Sequence, residues 1–205
     1  MVSNPNETIA YEKRKLALIE EITVAFDGVS REDGVTLHEA TVIDDYGSPA
    51  ERAEARAQDT EDKWQDVPEA DIRLTDAVLS FLDPKGFHYY IPAYMVWYLR
   101  NIDNEDPDYW SNTFDSVVFH LTYKTDEDDY VSSKFQLFTL AQSKAVANFL
   151  LFDVEREEAL EKQYLQASLA NGGLPQAEID RILQAHEPQE IETRQALETY
   201  WKQFV

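Results

Sequence analysis

The chain has 205 residues, 43% of them apolar and 12% aromatic, with six glycines and no cysteine. Such a composition folds around a packed core, and it excludes disulfide frameworks, thiolate metal sites and cysteine nucleophiles. Forty acidic residues against 18 basic ones give a net charge of −22, a field that opposes contact with nucleic acid and anionic membranes and suits a basic protein partner.

The N-terminus, Met1-Val2-Ser3-Asn4-Pro5-Asn6-Glu7, lacks a basic start followed by an apolar run. No later stretch approaches the roughly 18 uninterrupted apolar residues of a membrane span, so the expected location is the cytoplasm. The first periodicity sets Ile9, Leu16, Ile19, Ile22, Thr23 and Phe26 on one side of a helix that Gly28 ends, with Lys15 among the residues facing water. Thr36 and Glu39 have capping-box spacing and open a second helix, stopped by Gly47. Residues 48 to 63 carry alanines and charges but no large apolar side chain, and can be helical only at the surface. After Trp64, Asp66 and Pro68 introduce a helix bearing Ile72, Val78, Leu79 and Leu82.

Asp83-Pro84-Lys85-Gly86 fits a type I turn. Beyond it Phe87, Tyr89 and Ile91 alternate with His88 and Tyr90, which predicts a short extended segment before Pro92 opens another helix. Residues 114 to 123 fit a helical face and strand alternation alike, with the helix preferred. A second capping box, Thr139 with Gln142, starts a helix burying Leu140, Val146, Ala147, Leu150, Leu151 and Val154, which Asn171-Gly172-Gly173 breaks. Pro175 then opens a helix with Ile179, Ile182, Leu183 and His186, and a last one carries Ile191, Leu197, Trp201 and Phe204.

The fold class is therefore mainly α: a compact multi-helix domain with at most one or two short strands, near 87–91 and 115–137, and a C-terminal helical hairpin. One domain is expected over 1–205, with a core at 1–152 and a helical extension at 153–205.

Residues 81 to 123 hold 12 of the 25 aromatic side chains, so function is sought there first. Trp64, Phe87, His88, Tyr90, Tyr94 and Trp97 are the candidates for stacking a planar ligand or anchoring a partner, although the same rings also serve as ordinary core. Residues 101 to 130 carry nine acidic side chains against one lysine, the pattern of exposed loops. No catalytic or metal site emerges. His38-Glu39 begins a helical zinc motif, but Val42 stands where the second histidine belongs. His38, His88, His120 and His186 fall in four separate elements, and any shared site would have to be assembled by the fold. Gly-x-Ser-x-Gly, Ser-x-x-Lys, Gly-x-Gly-x-x-Gly and phosphate-loop patterns are absent from the sequence. Close carboxylate pairs such as Asp44-Asp45 are inevitable with 40 acids and point to nothing. No cofactor is implied.

Trp64-Gln-Asp-Val-Pro68, followed by Leu79-Ser-Phe-Leu-Asp-Pro-Lys-Gly-Phe-His-Tyr-Tyr-Ile-Pro-Ala-Tyr-Met95, resembles a bacterial family known only as a domain of unknown function. Thr139, Gln142, Val146 and Phe149-Leu150 resemble that family's later helix. The resemblance spans residues 10 to 152 and implies a compact cytoplasmic domain, without an activity or site residues. The expected function is a non-enzymatic acidic interaction module, with an immunity or antitoxin-like inhibitor of a basic protein as one form. The alternatives are an enzyme or small-ligand binder with an aromatic pocket at 87–97, or an oligomer assembled through the C-terminal helices.

Overall fold

The computed structural model describes residues 5–74, 77–104, 112–122 and 133–205. Its helices include α1 (Pro5–Ala25), α2 (Leu37–Asp44), α3 (Pro49–Arg56), α4 (Glu69–Leu74), α5 (Pro84–Asn101), α6 (Thr113–Leu121), α7 (Leu140–Asn171), α8 (Gln176–Ala185) and α9 (Glu192–Thr199). Single 3-10 turns lie at Trp64–Asp66, Val78–Ser80 and Trp201–Phe204. Among the described residues there is no strand, and the mainly α reading holds. The acidic stretches at 105–111 and 123–132, with Tyr109, Trp110 and Tyr123, lie outside the described residues, as does part of the second expected strand.

The centre is α5. Asp83 caps it, accepting from the Gly86 amide at 2.9 Å, and Pro84 occupies the first turn, where a missing N–H costs nothing. The strand expected at 87–91 is helix instead. Its alternation rested on treating His88 and Tyr90 as outward-facing, whereas every residue from Tyr89 to Leu99 is buried. A helix enclosed on all sides has no polar stripe, and so it leaves no helical period to read. The proline-turn signal at 83–86 marked this helix's start, because the first turn of a helix and a type I turn share their backbone angles at proline. Pro92, expected to open a helix, sits inside α5 and removes one backbone hydrogen bond.

The other elements wrap α5. From α1 and the turn just after it come Leu18, Ile22 and Phe26, from α6 Val117, Val118 and Leu121, and from α7 Val146, Phe149 and Leu150, all in one continuous apolar core. The buried side of α1 is rotated from the expected one: Ile9 and Leu16 are exposed, while Lys15 is buried. Positions 11, 15, 18, 22 and 26 form the inner stripe, and its lysine is admitted because Nζ lies 2.9 Å from both Glu12 and Asp103. Leu140, expected inside, is likewise exposed beside the buried stripe of α7. The helix expected from Pro68 to Leu82 is divided into α4 and the 78–80 turn, with residues 75–76 between them outside the described set.

Surface helix α3 forms as its composition requires, closed by a Ser48–Glu51 capping box. Thr36 accepts from the Glu39 amide, but Glu39 turns away from its half of the predicted box to pair with Arg56 at 2.7 Å. The Thr139–Gln142 box is complete. Helices α7 and α8 make the expected hairpin, turned by Gly173 at φ +77°. The last residues return to the core. Trp201 is fully buried, its indole donates to the Leu121 carbonyl at 2.6 Å, and its ring lies 4.8 Å from that of Phe135.

The loop before α2 passes directly over the start of α5. Asp83 also accepts from the Val35 amide at 2.8 Å, and a Cβ on Gly86 would stand 2.3 Å from the Val35 carbonyl oxygen. Gly86→Ala must therefore push two backbones apart, with an expected loss of about 1–3 kcal/mol of stability, measurable by urea unfolding. An unchanged midpoint would show that this contact is not tight.

Candidate functional site

The six sequence-derived candidates lie together around α5, but they do not share an open pocket. Phe87, Tyr90 and Tyr94 are fully buried, and Trp64 and Trp97 nearly so. Trp64 donates its indole N–H to the Phe26 carbonyl at 2.9 Å and pins the 64–66 turn to the end of α1. Phe87 packs on Phe138, with ring centroids 6.4 Å apart. Tyr90 accepts from Arg31 at 2.7 Å and donates to Glu61 at 2.8 Å. Burial, reinforced by that Glu61 bond, raises the Tyr90 pKa far above its ordinary value, and its hydroxyl stays protonated. Trp64 and Trp97 do line one small recess of about 160 Å³, together with Ile72, Ala93 and Arg100.

His88 is half-buried between Phe26 and Phe138, and its Nε2 lies 3.0 Å from the side-chain oxygen of Gln142. That oxygen also accepts from the Thr139 amide at 2.8 Å, so the cap of α7 and the histidine of α5 share one acceptor. Nε2 consequently carries the proton and donates.

An open feature lies at the opposite end of α5. A cleft of about 560 Å³ runs between Tyr98 and Ile102 of that end, α6, α7 and the start of α9. Its carboxylates are Asp115, Asp153, Glu157 and Glu192, and no lysine or arginine is among the described residues that line it. Phe114, Val118, Ile102 and Ile191 supply apolar wall. Asp153 is buried at the base, accepting from Thr193 at 2.7 Å and from the Tyr98 hydroxyl. Burial, then the neighbouring Asp153 charge, holds the Tyr98 pKa well above its usual value, which keeps the hydroxyl a donor. Burial also raises the Glu157 pKa, with the Asp153 charge adding to it and Arg156 opposing it.

A second recess of about 370 Å³ shares Asn112, Asp115 and Glu192 with the cleft and adds Ser80, Ser116, Phe119 and His120. Neither feature was visible in the sequence. Asp153 reads there as one more acid in a helix, and Ser80 and His120 are 40 positions apart. Among the described residues no group of three or more histidines and acids is arranged to hold a metal ion. No described helix is long and apolar enough to cross a membrane.

Residues 14–205 match the model of a family of unknown function, DUF6714. The chain belongs to that family. The match continues past residue 152 through α8 and α9 to the final residue, and so takes in Trp201 and the α9 wall of the cleft. No curated protein and no solved structure matches the chain.

Burial lowers the His88 pKa below its ordinary 6.5, and the Gln142 bond only partly offsets this. The unfolded chain therefore binds a proton here more readily than the folded one, and stability rises with pH between the lowered value and about 6.5. Urea midpoints measured from pH 5 to 7.5 should climb over that window. His88→Gln should flatten the climb, and a variant retaining the full slope would assign it to other groups.

Proposed function

We propose that this protein is an acidic binding module acting in the cytoplasm, whose cleft between α6, α7 and α9 receives a cationic side chain from a basic partner protein. The observation that carries this reading is the cleft's lining of carboxylates and apolar wall without a lysine or arginine among the described residues, where Asp115 and Glu192 stand beside Asp153, held by Tyr98 and Thr193, and Glu157, paired with Arg156. A lysine or arginine side chain suits such a site, since its stem lies along apolar surface while its head meets the carboxylates. The net charge of −22 would steer a basic partner towards any face of the molecule, and the cleft would supply the register. An immunity or antitoxin-like inhibitor of a basic protein is one concrete form. This reading is preferred to a ligand pocket among residues 87–97, because Phe87, Tyr90 and Tyr94 are wholly enclosed by protein.

A lysine-rich peptide is the probe. Its association rate should fall steeply between 50 and 300 mM salt, values chosen to span strong and weak screening. Asp115→Asn with Glu192→Gln should weaken binding at low salt by about tenfold. The control pair Asp44→Asn with Asp45→Asn removes the same charge from the exposed end of α2 and should change binding little. Equal losses in the two pairs would reduce the effect to net charge and reject the cleft.

A further inference from the structure

The fold brings Ser80, on the 78–80 turn, against His120, in the last turn of α6. The serine Oγ lies 2.9 Å from His120 Nε2, and His120 Nδ1 lies 2.7 Å from the Ser116 carbonyl oxygen one helical turn earlier. A carbonyl oxygen only accepts, so Nδ1 carries a proton, and in the neutral ring Nε2 presents its lone pair to the serine hydroxyl. The Ser116 hydroxyl lies farther from the same Nδ1, at 3.4 Å. A hydroxyl, an imidazole base and a fixed acceptor that sets the base's tautomer are the three parts of an activated nucleophile.

The surroundings suit that role. Ser80 is exposed, while Val78 and Leu79 before it are buried and the Leu79 carbonyl accepts from Lys134 at 2.9 Å, so the turn is fixed beneath a reachable hydroxyl. Both side chains line the recess of about 370 Å³, room for a small acyl ester. Asp115 and Glu192 on its wall favour a substrate with positive charge.

We propose that Ser80 and His120 form a nucleophile and general-base pair that hydrolyses small esters bearing a cationic group. The Ser80 oxygen bonds to the ester carbonyl carbon as its proton passes to His120 Nε2. The tetrahedral adduct then expels the alcohol, which takes that proton. Water attacks the acyl-serine, gives a proton to Nε2, and the released acid leaves as the proton returns to Ser80. Water is the sole co-reactant. This activity goes beyond the binding module and does not rest on it, since the pair is complete whether or not a basic partner occupies the larger cleft.

The test is labelling of the full chain with an alkyl fluorophosphonate, the adduct being located by mass spectrometry. The expected result is an adduct on Ser80, absent in Ser80→Ala and formed about 100-fold more slowly in His120→Gln, with both variants melting as the parent does. A 4-nitrophenyl ester carrying a trimethylammonium group should also turn over at least tenfold faster than one carrying a carboxylate. Absence of a Ser80 adduct in the parent chain overturns the pair whatever the variants do, as does a rate indifferent to His120→Gln in a folded variant. Equal turnover of the two esters overturns the cationic substrate class.

Discussion

A helix that is buried on every side must find an internal partner for each polar tip it carries, and α5 imposes that requirement on the rest of this molecule. Tyr89 and Tyr90 reach Glu61, His88 reaches Gln142, Tyr98 reaches Asp153, and Asn101 turns back to the Trp97 carbonyl. Each partner on another element ties that element to the centre. Glu61 thereby holds the loop before the 64–66 turn, Gln142 the cap of α7, and Asp153 the middle of the same helix, through which Thr193 fastens α9. The Trp97 indole nitrogen is the exception, buried without a hydrogen-bond partner. Such an arrangement favours a single packing, because a register shift of α5 would strand several buried polar groups at once.

The same interior accounts for the distribution of charge. Several of the basic side chains are engaged in holding the fold: Lys15 between Glu12 and Asp103, Arg31 on Glu61 and the Asp59 carbonyl, Lys134 on the Leu79 carbonyl, and Arg156 on Asp103 and the Ile102 carbonyl. Cations used in this way neutralise acids around α5, and Arg156 also pairs at 2.5 Å with Glu157, one of the carboxylates of the cleft.

The cleft and the serine–histidine recess meet at Asn112, Asp115 and Glu192, so one wall of carboxylates faces two spaces of different character. The larger is floored by Tyr98, Asp153 and Thr193. The smaller carries the Ser80 hydroxyl beside His120 at its edge. Both are made where α6 and α9 approach each other, and both depend on Trp201 anchoring the chain's end beneath Leu121.

What the sequence determined by itself is mostly local. The Thr139–Gln142 box, the helix ends before Gly47 and Gly172, the start after Pro175 and the alanine-rich surface helix follow from groups a few residues apart, whose geometry is the same in any fold. Composition pointed to an interior role for the ring-rich segment as one reading, and Phe87, Tyr89, Tyr90, Tyr94, Trp97 and Tyr98 within it are buried. Tertiary structure decided what depends on contact between distant segments. The 87–91 segment is helix without showing a helical period, because enclosure on all sides leaves no polar stripe, and Lys15 turned inward because acids 3 and 88 positions away received it. Asp153 and His120 acquired their character in the same way, from Thr193 and Ser80. The chemistry of a side chain is set by its neighbours in space, and for each of these residues a decisive neighbour arrives from another element.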